Sequence, residues 1–101
     1  MKCIPDWLYL WVSKALLGEI YPSIRAVVVG FDKERVMTLR YYLDREAEES
    51  DYESIDEVVT LILANTSSNY DIKEVRDEVV FSEKKQKDLD WLDGFVYSRK
   101  E

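Results

Sequence analysis

The stretch IRAVVVGFDKERVMTLRYYLD, residues 24–44, limits the fold more than any other part of the chain. Ile24 to Asp32 is rich in β-branched residues and reads as a buried strand. Lys33 and Glu34 make a short polar turn. From Arg35 to Asp44 the pattern alternates. Met37, Leu39, Tyr41 and Leu43 fall on one face, and Thr38, Arg40 and Tyr42 on the other. Two such runs, so close together, predict a hairpin.

Other elements follow around it. Asp6 to Leu17 reads as a helix, with Asp6 as N-cap and Gly18 as the stop. Leu8, Trp11, Val12 and Ala15 recur at helical spacing, while Trp7, Leu10 and Leu17 extend the apolar surface around it. Such a helix must be covered on more than one side, by the core or by another chain. Ser50-Asp51-Tyr52-Glu53 matches a capping box and predicts a second helix from about Asp51 to Ala64. Asn65 to Asn69 is turn chemistry. Ile72 to Ser82 reads as a third strand, with Val75, Val79 and Phe81 on one face and Arg76, Glu78 and Val80 on the other. Asp88 to Asp93 reads as one helical turn, and Gly94 to Lys100 as a last strand.

The order is α-β-β-α-β-β. It predicts an α+β fold, residues 1–101 as a single domain, with a four-stranded antiparallel sheet and the helices packed on one face. The other face is then at least partly open, with Arg40, Tyr42, Arg76, Glu78, Tyr97 and Arg99 as its expected occupants.

Composition removes several functions. The chain has no histidine and one cysteine, Cys3. That rules out Ser-His-Asp and Cys-His catalysis, leaves Cys3 without an activating base, and predicts neither a structural zinc nor any cofactor. A lone cysteine fits a reducing compartment. Asp6, Ser13, Lys14 and Glu19 interrupt the apolar run from Ile4 to Ile20, so it reads neither as a membrane span nor as a secretory signal. A cytoplasmic protein is the expectation. The net charge of -7 is the reverse of a nucleic-acid footprint. Residues 1–40 hold 6 basic and 4 acidic groups, whereas residues 41–101 hold 8 basic and 17 acidic ones.

The acidity concentrates in DREAEESDYESIDE, residues 44–57, where eight acids face only Arg45. A calcium loop needs a central glycine that this stretch lacks. Paired catalytic carboxylates need a pocket, which a loop and a first helical turn do not suggest. The helix dipole explains Asp51, Glu53 and Asp56 in part. It explains Glu46, Glu48 and Glu49 poorly, since they precede the helix and repel one another. A docking surface for a basic partner accounts for the whole cluster: Asp44, Glu46, Glu48, Glu49, Asp51, Glu53, Asp56 and Glu57. A second cluster, Asp88, Asp90 and Asp93 around Trp91, extends the idea. Trp91 reads either as a binding anchor or as a core anchor beneath the last strand.

The series IRAVVVGF, TLRYYLDREAEESDYESIDEVV, DEVVFSE and DLDWLDGFVYSRKE resembles small acidic bacterial proteins, the immunity proteins of contact-dependent growth inhibition and related polymorphic toxin systems. The resemblance covers about four-fifths of the chain, from Pro22 to Glu101. It implies a non-catalytic cytoplasmic protein that binds the toxic C-terminal domain of its partner one-to-one. It implies a basic partner, often a nuclease, with no direct contact to nucleic acid or membrane.

Two other readings compete. An interaction module, homodimeric through the first helix, would explain Trp7, Leu10 and Leu17. An RNA-binding sheet would stack bases on Tyr42 and Tyr97, but the element order and net charge oppose it. The chain is thus expected as a monomer or a homodimer.

Overall fold

The computed structural model describes residues 4–65 and 72–100. The elements are α1 (Asp6–Ala15), β1 (Ile24–Phe31), β2 (Val36–Leu43), α2 (Glu49–Asn65), β3 (Glu74–Phe81) and β4 (Gly94–Ser98), with a 3-10 turn at Gln86–Asp88. The turn expected after Asn65 lies outside the described residues, as does Cys3.

β1 and β2 form the expected antiparallel hairpin, with Val27 opposite Tyr41 and Val29 opposite Leu39. The Asp32 carboxylate closes the turn by accepting the Glu34 and Val36 N–H groups at 2.9 and 3.0 Å. β1 and β2 are the centre of a sheet ordered β3-β2-β1-β4. β4 pairs antiparallel with β1, but β3 pairs parallel with β2. The sheet is therefore mixed, and the expectation of a wholly antiparallel sheet is corrected. The reason is length. An α2 of 17 residues spans about 25 Å, and a β2 of eight residues spans about 26 Å. The helix returns the chain to the start of β2, so β3 must run the same way. A parallel pair needs a crossover of this kind.

The principal core lies between the helices and one face of the sheet. Leu8 and Val12 of α1 and Ile55, Val58 and Ile62 of α2 pack on Val27, Val29, Met37, Leu39, Tyr41 and Leu43. The alternation read in β2 is the alternation observed. β1 is buried on both faces, which is why it reads as a continuous apolar run.

The second sheet face is less open than its pattern implies. β3 and β4 are opposite edges, so the chain between them must cross the sheet. It crosses behind β1 and β2, where Leu89 joins Ala26, Val28 and Tyr42 in a second cluster, flanked by Val80, Leu92 and Phe95. Arg40 and Glu78 stay on this face and pair at 2.6 Å. Tyr97 does not join them. A bulge between Val27 and Val28 turns both Val96 and Tyr97 to the principal core. Phe81, expected on the core face with Val75 and Val79, is exposed at the end of β3.

Local expectations shift as well. Pro5, not Asp6, precedes α1, and Asp6 is its first residue. Gly18 adopts φ +81° and turns the chain out of the helix end. The turn expected at Asp88–Asp93 lies earlier, at Gln86–Asp88. Beyond it, Leu92 takes φ +52° and bridges to Val29.

Candidate partner-binding site

α2 buries one stripe, Asp51, Ile55, Val58 and Ile62, at i, i+4, i+7 and i+11. Three of these are core apolar residues. The fourth is an aspartate with 0% exposure. Its Oδ1 accepts the Tyr21 hydroxyl at 2.5 Å and Arg45 Nη2 at 3.1 Å. Its Oδ2 accepts Arg45 Nη1 and the Glu48 N–H, both at 2.7 Å. α2 starts at Glu49, so Asp51 is its third residue and reaches back to the N–H of the residue before the helix. This is half of a capping box, two positions ahead of the expected Ser50–Glu53 register. Burial would raise the Asp51 carboxyl. The bonds from Arg45, Tyr21 and Glu48 outweigh it and hold the group below the ordinary carboxylate range. For Tyr21, burial and then the Asp51 bond push the phenol well above its usual value.

A groove runs from this network along α2. Three adjoining hollows form it. The first, about 350 Å³, is lined by Gly18–Tyr21, Arg45, Ser50 and Ser54. The second, about 390 Å³, shares Glu19, Ser50 and Ser54 and adds Glu53, Asp56 and Glu57. The third, about 380 Å³, shares Glu19, Asp56 and Glu57 and ends at Thr60 and Leu61. Glu19 lines all three, so a residue from the loop after α1 faces three carboxylates of α2. Arg45 is the one cation among the described lining residues, and Asp51 occupies it. Glu19, Glu53, Asp56 and Glu57 have no ion pair among the described residues. A different hollow, about 440 Å³, is lined by Arg25, Asp44, Ser82, Glu83, Arg99 and Lys100. Its three cations outnumber its two acids, and Asp44 there pairs with Arg99 at 2.8 Å.

Like charges spaced along one helix have a cost. Glu49, Glu53 and Glu57 stand at successive i, i+4 steps, each unfavourable by about 0.2–0.5 kcal/mol. The helix dipole offsets this in the first turn only. Glu57 lies beyond its reach.

The family model described as MafI2 immunity protein matches residues 5–101. The chain belongs to this family of immunity proteins. The likeness read from residues 22–101 therefore extends through α1 as well. Proteins of the family are immunity proteins, and an immunity protein binds a cognate toxin. No curated protein matches the chain. No helix among the described residues is long and apolar enough to cross a membrane.

The expected partner-binding residues do not all meet at one place. Glu53, Asp56 and Glu57 line the groove, and Glu46 and Glu49 are exposed just before and at the start of α2. Glu48 is exposed and stands 4.0 Å from Arg45. Asp51 is sealed beneath, with its lone pairs taken, and offers a partner no atom. The second cluster lies across the sheet. Asp90 Oδ2 is 3.7 Å from Arg40, and Asp88 is exposed. Asp93 is half-buried, and its Oδ2 accepts the Phe31 N–H at 2.7 Å. Trp91 is 44% exposed and stacks on Phe95 at 5.8 Å, belonging to neither core cluster. Sequence reasoning missed Glu19. Its signal was the Gly18-Glu19 pair just past a helix end, where a left-handed glycine redirects the next side chain.

Proposed function

We propose that this chain neutralises the toxic domain of its partner by binding it one-to-one through the carboxylates around the α2 groove. Glu19, Glu53, Asp56 and Glu57 are its centre, with Glu46, Glu48 and Glu49 at the rim. The single observation behind the reading is that these groove carboxylates, in a member of an immunity family, have no ion pair among the described residues. A nuclease is the partner class that fits best. Its substrate cleft must be basic, and a row of carboxylates occupies the sites that phosphates would take. Asp44, Asp88, Asp90, Asp93 and Trp91 lie outside the groove, as outlying contacts. The inhibitor works by occupying the cleft, without chemistry of its own, in the cytoplasm of the producing cell.

The test is titration against the toxin domain encoded immediately upstream, at low and high salt. Tight one-to-one binding that weakens with salt supports the reading. Tight binding indifferent to salt would move the interface to apolar surface.

A second reading has its own observation. Leu10 is 48% and Leu17 78% exposed on and just after α1. Homodimerisation through this surface would cover them. Light scattering on the isolated chain and on Leu17→Ser decides it, because a dimer through α1 would weaken in the variant.

A further inference from the structure

We infer that Asp51 is a positioning residue for the groove, holding the lining Arg45 in an ion pair and fixing the groove's two walls. The inference rests on the reading of the groove as the toxin-binding surface.

The geometry has three parts. Tyr21 lies two residues beyond Glu19, on the loop that forms one wall. Asp51 lies two residues before Glu53, on the helix that forms the other wall. The bond from the Tyr21 hydroxyl to Asp51 Oδ1 ties these walls together beneath the groove floor. Arg45 supplies the third part. Its side chain is one-third exposed and lines the groove, yet two of its nitrogens are spent on Asp51. Its Nε donates to Ser23 Oγ at 3.1 Å. Held this way, Arg45 pairs with Asp51 and Glu48 and makes no ion pair with Glu19 or Glu53 among the described residues.

Helix capping alone explains one of these bonds. Any acid at this position could accept the Glu48 N–H. Capping does not require full burial, a tyrosine from another loop or a chelated arginine. The arrangement does something an acidic groove needs. It removes the one lining cation from competition with the partner's cations. It also fixes both walls before the partner arrives, so that less order is lost on binding.

The inference separates from a purely structural role by rescue. In Asp51→Asn, Arg45 loses its counter-ion and swings to the groove carboxylates. Association with the upstream-encoded toxin domain is then expected to slow by about three- to tenfold at low salt, with a shallower salt dependence. Adding Arg45→Gln removes the intruding charge. The double variant should recover most of the association rate while staying no more stable than Asp51→Asn by thermal melting. Arg45→Gln alone, in case Asp51→Asn does not fold, should associate no more slowly than the native chain.

Stopped-flow association of these variants, beside a Glu53→Lys/Glu57→Lys control, reads the result. If the control slows association and Asp51→Asn does not, the Asp51 inference fails and the groove stands. If the double variant stays as slow as Asp51→Asn, Asp51 acts through folding alone and the inference also fails. If Arg45→Gln alone slows association, Arg45 is a contact and not a sequestered charge, which overturns it too. If the control itself has no effect, the groove reading falls and takes this inference with it.

Discussion

The Tyr42 hydroxyl donates a 2.6 Å hydrogen bond to the backbone carbonyl of Asp90, pinning the β3–β4 crossover to the middle of the sheet. The same oxygen accepts Arg40 Nη1 at 3.0 Å. Tyr42→Phe keeps the ring in the second cluster and removes both bonds. We expect a loss of about 1 kcal/mol, read by urea denaturation, with little change in the slope of the transition. A change below a few tenths would mean that water replaces the hydroxyl at no cost.

The groove carboxylates should govern rate more than stability. Glu53→Lys/Glu57→Lys places cations in the second hollow without touching a buried residue. Association with the toxin domain should slow by about tenfold or more at low salt, and the difference should shrink as salt rises. The melting temperature should move little, because reversing these charges also relieves the i, i+4 repulsion from Glu49. An unchanged on-rate would remove the groove from the interface.

Acid should loosen the Asp51 network within a defined range. The folded carboxyl lies below its ordinary value, so the unfolded chain takes up the proton first as pH falls. Its contribution is complete above a pH of about 4 and is lost as pH falls through the folded value. Tyr21 acts at the other end. Its phenol is raised on folding, so its contribution holds below a pH of about 10 and declines above it. Asp51→Asn should therefore flatten the acid limb of a stability–pH profile. An identical acid limb in the variant would show that other carboxylates set it.

Trp91 and Ile62 offer a direct contrast. Ile62 is sealed in the principal core, and Ile62→Ala should cost about 2–5 kcal/mol. Trp91 is nearly half exposed and stacks on Phe95. Trp91→Ala should cost less, about 1–2 kcal/mol, from its partly buried area and the single aromatic pair. Matched denaturation curves check this. A Trp91 cost equal to that of Ile62 would restore the core-anchor reading.

Periodicity made much of the fold legible. The alternation from Met37 to Leu43 and the apolar run from Ile24 to Val29 are local signals, and both strands lie where they predict. Tyr52, Ile55, Val59 and Ile62 located α2, although its buried stripe proved to be Asp51, Ile55, Val58 and Ile62, a small rotation of the helix. The parallel pairing of β3 was legible only by comparing the length of α2 with that of β2. The Val27–Val28 bulge was not legible at all, because an unpaired residue in β4 has no mark in composition. It moved Tyr97 from one side of the sheet to the other.

Asp51 and Glu53 show the division most sharply. The chain alone determined that both are acids near the start of a helix, in a stretch with a large excess of negative charge. It determined the element order and the family likeness as well. Only the tertiary structure decided that the first is sealed against Tyr21 and Arg45 while the second faces solvent opposite Glu19. The reason is angular and long-range. Two helical residues turn side chains about 200° apart. Which direction is inward depends on where a loop some 30 residues earlier comes to rest.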